Sequence, residues 1–383
     1  MTQRITNCRL FDGEQVFADR DVVLAGGVVA EIVATGDAIA AGCELHDLGG
    51  NLLAPGLIDL QVNGGGGVLF NAAPTVASLR AMAAAHRCFG TTAFLPTLIT
   101  DSDAVMDEAI AAVAEAIRER VPGIIGIHLE GPHLNPRYKG VHDAARMCDF
   151  DAESMTRLTS LSEGCTLLTL APEVVPVEMI SQLKEKGVVV FGGHSAATYE
   201  ETKRALGAGL SGFTHLFNAM SPLTSREPGM VGAALEDKDS YVGIIADGHH
   251  VHPATFAITV AAKQTGRTVL VTDAMPTVGS DIKSFDLFGA TIRAEGGRCV
   301  TADGTLAGSD IGLITAVKNA CRFAGIDQFE ALRMASTYAA DAIGLADQLG
   351  YIRPGYRANL IELDASMQVR RSWIDGDMQQ HSG

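Results

Sequence analysis

The chain has 383 residues, 47% hydrophobic and 19% charged, enough to bury a barrel of roughly 250 residues beside a smaller module. A formal net charge of −16, with no Lys/Arg run and no interleaving of aromatic and basic residues, argues against nucleic acid as a partner and demands a local cationic pocket for any anionic substrate. No apolar run reaches the ~18 residues of a membrane span, residues 1–30 lack a signal pattern, and seven singly scattered cysteines without C-x-x-C spacing suit free thiols in a reducing cytoplasm.

The first fifty residues predict short strands and turns: Arg4 to Leu10, the turn Asp12-Gly13, Asp21 to Leu24, the turn Gly26-Gly27, and Val28 to Val33. Asp59-Leu-Gln-Val-Asn63 then reads as a first core strand, followed by Gly64 to Gly67 as a flexible connection. No P-loop Lys-Ser/Thr follows those glycines, so they do not cradle a phosphate.

Buried parallel strands are expected at Thr92–Pro96, Ile124–Glu130, Leu167–Glu173, Val188–His194, Gly212–His215, Val242–Asp247 and Val269–Asp273. Helices are expected at Val76–Phe89, Asp103–Arg120, Pro176–Lys186, Tyr199–Ala208, Pro253–Thr265, Ile311–Phe323 and Phe329–Ile343. The stretch Gly289 to Gly308, with Gly296-Gly297 and Asp303-Gly304, predicts a β-hairpin insertion after the eighth strand. Strand-like sequence returns at Gly350–Leu363 and Val369–Ile374. The expected fold is therefore α/β, a (β/α)8 TIM-like barrel over residues 54–344. Both chain ends, 1–53 and 345–383, join in one small β-sandwich.

A barrel of this kind carries its chemistry at the C-terminal strand ends, where Glu130, His194, His215 and Asp273 converge. Glu130, His194 and His215 supply the three protein ligands that a catalytic divalent metal commonly takes. Hydrolysis of an amide also needs a base that returns a proton to the leaving amine, and Asp273 is the candidate. Asp247 has the same strand-end position and is read as structural.

Six motifs, Pro55-Gly-Leu-Ile-Asp59, His128-Leu-Glu-Gly-Pro132, Gly193-His-Ser195, Thr214-His-Leu-Phe-Asn-Ala-Met220, Asp247-Gly-His-His250 and Val271-Thr-Asp273, resemble the amidohydrolase superfamily. Within it, the chain is similar along essentially its whole length to the branch that deacetylates phosphorylated N-acetyl amino sugars. The resemblance implies metal ligation by Glu130, His194 and His215 and acid/base work by Asp273. It also implies substrate contacts from His142, Asn218, Ala219, Arg226 and His250, backbone contacts along Leu306, Ala307 and Gly308, and a homodimer. Arg226 and His250 have the chemistry to neutralise a phosphate. His142 suits orientation of the acetyl carbonyl.

One departure stands out. Where many amidohydrolases carry His-x-His to hold a second metal, this chain has Gln61 and Asn63, poor transition-metal ligands, so one divalent metal per subunit is expected. Zinc is the default, and iron, manganese and cobalt suit the same ligand set. The expected reaction is hydrolysis of the acetamide of N-acetylglucosamine 6-phosphate. Rival readings are the galactosamine epimer, an amidohydrolase of another substrate such as a cyclic amide or a base, and a sugar-phosphate sensor on a dead barrel.

Overall fold

A computed structural model describes residues 2–39 and 41–381. Eight parallel strands follow one another around the sheet in chain order: Leu57–Val62, Thr91–Ile99, Gly126–Glu130, Cys165–Leu170, Val189–Gly192, Gly212–Phe213, Tyr241–Ile245 and Thr268–Val271. The Asp273 N–H donates to the Gln61 carbonyl at 3.0 Å and the Asn63 N–H to the Ala274 carbonyl at 2.9 Å, which closes the eighth strand onto the first. The strands are buried almost throughout, because side chains fill the barrel on one face and helices cover the other.

The interior is not wholly apolar. His128 bonds through Nε2 to the Thr169 hydroxyl at 2.7 Å, Thr169 to the Thr214 hydroxyl at 2.6 Å, and His128 Nδ1 to Thr97 at 3.2 Å. Burial pushes the His128 imidazole down to about 4, so it stays neutral among these hydroxyls.

Both chain ends meet in the small β-sandwich. One sheet orders its strands Val28–Ala34, Arg20–Ala25, Gln3–Thr6 and Glu44–Asp47. The other orders Asp377–Gln380, Val369–Ile374, Leu360–Leu363, Leu52–Pro55, Arg9–Phe11 and Val16–Phe17. Ile5, Leu10, Val22, Leu24, Leu53, Leu360 and Trp373 fill the space between them. The strand Leu52–Pro55 pairs with both Arg9–Phe11 and Leu360–Leu363, so we place the passage into the barrel at Gly56 rather than between residues 53 and 54. A Cβ at Gly56 would lie 2.0 Å from Thr92 Oγ1, so only glycine fits that passage.

Several expectations need correction. Gly64–Gly67 is not a flexible connection: Gly64–Gly65 pairs with Val68–Leu69 in a tight hairpin, and a Cβ on Gly64 would meet the Val68 carbonyl at 2.4 Å. The insertion is larger than a hairpin. It is a four-stranded antiparallel sheet of Ser284–Leu287, Ala290–Glu295, Arg298–Val300 and Leu306–Ser309, with two-residue turns at Phe288-Gly289 and Gly296-Gly297 whose φ angles are all positive.

The expected helix Phe329–Ile343 is two helices, Gln328–Met334 and Thr337–Ala342. The Ser336 hydroxyl donates back to the Leu332 carbonyl at 2.6 Å and the Ala335 carbonyl is taken by the Ile58 N–H at 2.8 Å, so the helical ladder is diverted there. Helices Ala152–Leu158 and Gly229–Glu236 were not expected. The latter, Gly-Met-Val-Gly-Ala-Ala-Leu-Glu, is apolar nearly all round and shows no 3.6-residue pattern. Among the described residues no helix is long and apolar enough to cross a membrane.

Trp373, the chain's single tryptophan, is fully buried opposite Leu360 in the sandwich core, so its fluorescence reports on that module. Leu360→Ala is expected to destabilise the sandwich by about 2–5 kcal/mol. A urea titration followed by tryptophan emission checks this, with the midpoint moving to lower urea.

Candidate metal centre and active site

Glu130 is the last residue of its strand, while His194, His215 and Asp273 each sit two residues past the ends of theirs. Those three have φ of 48°, 33° and 52°, a left-handed conformation that costs a non-glycine residue on the order of 1–3 kcal/mol. It persists because the surroundings over-determine it. The Ser195 N–H donates to the Ala219 carbonyl at 3.0 Å, the Asn135 N–H to the His194 carbonyl at 2.9 Å, and the Leu216 N–H to the Gly243 carbonyl at 2.8 Å.

The turn of the chain at each strand end throws the side chain into the barrel mouth. Nε2 of His215 lies 2.9 Å and Nε2 of His194 3.2 Å from the same Glu130 oxygen, and the two nitrogens are 3.0 Å apart. His194 Nδ1 faces the Tyr138 carbonyl at 2.8 Å. A carbonyl only accepts, so Nδ1 carries the proton and, in the neutral ring, Nε2 presents a lone pair to Glu130 and His215. Lone pairs and a carboxylate facing one another in a buried site call for a cation between them. Among the described residues His215 Nδ1 is buried without a partner. Two imidazole nitrogens and a carboxylate oxygen, all within 4.8 Å of one another, fit a divalent metal.

Burial would raise the Glu130 carboxyl, but the His194 and His215 rings facing it outweigh burial and hold it well below the usual range. Burial would likewise lower His215, and the bond to Glu130 outweighs it and leaves the ring raised.

Asp273 stands beside this group. Its Oδ1 accepts from the Asn63 amide at 2.6 Å and the Gln61 amide at 3.2 Å, and Gln61 also donates to both Glu130 oxygens at 3.3 Å. The two amides therefore serve the carboxylates as donors. Burial pushes Asp273 up to about 6, with Glu130 adding to the rise. Beneath it, Asp59 accepts from the Thr272 hydroxyl at 2.5 Å and ties the approach to Asp273 onto the first strand.

A cavity of about 390 Å3 opens over the group, lined by Glu130, His142, His194, His215, Asn218, Ala219, His250, Asp273, Leu306 and Gly308, among others. His142 Nδ1 accepts from the Thr100 N–H at 3.4 Å and bonds the Thr100 hydroxyl at 2.9 Å, leaving Nε2 as the protonated nitrogen; burial, with His194 adding to it, holds the ring well below its ordinary pKa and hence neutral. His250 Nδ1 bonds the Asp247 carboxylate at 2.6 Å, and the same Asp247 accepts from the N–H groups of His249 and His250. Asp247, read from sequence as structural, thus orients a pocket histidine. The i, i+3 spacing of Asp247 and His250 is the signal for it. Asn218 Nδ2 donates to the carbonyls of His215 and Leu216 at 3.1 and 3.3 Å, so its donors are already engaged.

Two expected contacts fall outside the cavity. Ala307 is buried in the apolar cluster of the insertion, with Leu306 and Gly308 on either side lining the pocket. Arg226 is exposed on the loop before helix Gly229–Glu236 and does not line the pocket of its own chain. Tyr138 and Thr100 went unnoticed, because a carbonyl or hydroxyl that sets a histidine tautomer leaves no spacing pattern.

A closed parallel barrel with a nitrogen-and-oxygen ligand set and a free carboxylate at its mouth defines a metal-dependent hydrolase. The chain belongs to the Amidohydrolase family, whose pattern it matches over residues 52–378, while residues 4–53 match the NagA composite domain. It is 46% identical over 326 residues to an N-acetylgalactosamine-6-phosphate deacetylase of Shewanella sp. (strain ANA-3), covering 85% of this chain and 82% of the relative. It is 35% identical over 379 residues to the N-acetylglucosamine-6-phosphate deacetylase of Haemophilus influenzae, covering 98% and 99%. The crystal structure of N-acetylglucosamine-6-phosphate deacetylase from Pasteurella multocida superposes with a TM-score of 0.95 at 36% identity, covering 100% of both chains.

Purified protein is expected to hold one metal ion per chain by elemental analysis. His194→Ala, which removes one nitrogen from the Glu130, His194 and His215 group, is expected to lose both the metal and the activity.

Proposed function

We propose that this chain hydrolyses the acetamide of N-acetyl-D-glucosamine 6-phosphate to D-glucosamine 6-phosphate and acetate. The observation that carries this reading is the convergence of Glu130, His194 and His215 with Asp273 and His142 in one buried pocket. Relatives that span the whole chain and bear that activity support it.

Glu130, His194 and His215 would hold the cation, which when bound supplies charge to polarise the amide carbonyl and acidify a water. The residues of the chain do the rest. Asp273 keeps Oδ1 on the Asn63 and Gln61 amides, which leaves Oδ2 to accept the proton of the attacking water. The same oxygen then returns that proton to the amine nitrogen as the C–N bond breaks. His142, neutral with Nε2 protonated and part of the pocket lining, donates to the substrate and orients the acetyl group. Because Gln61 and Asn63 act as donors to carboxylates, a single metal accounts for the site. Zinc suits its N2O donor set, as do iron, manganese and cobalt.

The lining includes neither lysine nor arginine, and His250 is its one basic group outside the Glu130 and His142 cluster. A phosphate dianion therefore needs a further cation. Arg226 of a second copy answers that need, and exposed Leu223, near Arg226 in the chain, supplies apolar surface for a homodimer. Free cysteines throughout favour a cytoplasmic setting.

The galactosamine epimer is a second reading, favoured by the 46% identity to the Shewanella enzyme. Comparison of kcat/KM for the two epimeric 6-phosphates decides between them, and a preference for the glucosamine epimer is expected. Strong turnover of a cyclic amide with none of either sugar phosphate would overturn both.

Asp273→Asn is expected to keep metal and substrate binding while kcat falls by ~10³-fold or more, since one carboxylate serves both proton transfers. A metal titration alongside kinetics checks it; near-normal kcat in metallated protein contradicts the role. Arg226→Ala is expected to raise KM about 10- to 100-fold with a smaller change in kcat, the loss of a charge-assisted contact worth about 1.5–3 kcal/mol. Mixed dimers with a catalytically dead partner test whether Arg226 acts across the interface. Unchanged discrimination between phosphorylated and unphosphorylated sugars would remove Arg226 from the site.

A further inference from the structure

Glu173 lies just past the fourth barrel strand, Cys165–Leu170, and is not among the residues lining the pocket. Its carboxylate nevertheless accepts three short hydrogen bonds from neutral donors. Oε1 takes the Asn135 side-chain amide at 2.9 Å and the Ala196 N–H at 2.6 Å, and Oε2 takes the Ser195 hydroxyl at 2.6 Å. Bonds of this kind to an ionised acceptor are stronger than those between neutral groups.

The donors come from two segments, and each of them grips His194. Ser195 and Ala196 follow it directly in the chain. Ser195 is held from both sides, because its hydroxyl oxygen also accepts from the Ala197 N–H at 3.0 Å. Asn135 donates its own N–H to the His194 carbonyl at 2.9 Å, and its Oδ1 caps the short 3-10 turn Pro136–Tyr138 by accepting from the Arg137 N–H at 2.9 Å. That turn ends on the Tyr138 carbonyl, the acceptor for His194 Nδ1. The circuit from Glu173 through Asn135, the turn, Tyr138, His194 and Ser195 therefore closes on itself around a residue whose φ is 48°.

We propose that Glu173 is a positioning residue for the metal centre: by joining these two segments it fixes which nitrogen of His194 carries the proton and where the other points. An outer partner that orients a ligand histidine typically contributes 10- to 100-fold in metal affinity. A carboxylate that merely stapled loops together would raise stability and leave the affinity of the folded protein unchanged. The proposal rests on the metal reading of Glu130, His194 and His215.

The test is Zn2+ titration against a competing chelator in the full-length protein, with circular dichroism to show that each variant is folded. Glu173→Ala is expected to weaken Zn2+ binding by about 10- to 100-fold. Glu173→Gln is expected to weaken it less, because its amide oxygen keeps the bonds from Asn135 and Ala196 while the Ser195 hydroxyl turns to accept from its NH2. Wild-type affinity in folded Glu173→Ala, or a Gln variant no better than the Ala variant, overturns the role. Should Glu173→Ala fail to fold, Asn135→Ala cuts the same circuit at its next link, and unchanged affinity there is equally decisive. A wild-type protein that binds no Zn2+ sinks the metal reading itself, and the proposal with it.

Discussion

A buried carboxylate facing two imidazole nitrogens is the constraint on which the rest of the mouth depends. Glu130 is 2% exposed and the two nitrogens lie about as close to each other as to its oxygen. Such a group has no stable state in a low-dielectric site unless positive charge lies among its atoms. Protons on the imidazoles supply that charge in part, but the Tyr138 carbonyl already claims the proton of the neutral His194 ring. A divalent cation satisfies all three groups together. The left-handed backbone at His194 and His215 is the local strain accepted to bring the rings there.

Neighbouring polar groups follow from the same need. Gln61 and Asn63 both turn their NH2 groups to the carboxylates. As neutral donors they hold two anionic side chains close together. Asp273 is left with one committed oxygen and one free one, an arrangement suited to taking a proton and giving it back. The pocket's polarity is complete for the amide end of a substrate. It is incomplete for a phosphate, since His250, oriented by Asp247, is the one basic group at hand away from the reacting centre.

Much of this was legible in the sequence. Apolar strands leading into Glu130, His194, His215 and Asp273 exposed both the barrel and the convergence of these residues at its mouth, because strand-end chemistry is set by a local pattern that tertiary packing only has to close. Elements without periodicity were invisible, as with the apolar helix Gly229–Glu236, and a helix diverted by one serine hydroxyl, as at Ser336, read as continuous. Gly64–Gly67 looked flexible because glycine also marks flexible chain; its true cause is the Val68 carbonyl and His86 ring that leave no room for a Cβ. Arg226 had the right chemistry for phosphate, but whether a loop residue reaches a pocket depends on which surfaces meet. The Asn135, Tyr138 and Glu173 circuit was hidden for another reason: it runs through backbone groups and long-range loop contacts that leave no motif.

The most direct measurement is anomalous diffraction at the zinc edge from crystals of the zinc-loaded protein. The account requires one peak per chain, in bonding contact with Glu130, His194 and His215, and no density of that kind beside Gln61 and Asn63. A second peak at those amides, or a single peak that leaves any one of the three ligands unbound, would contradict it.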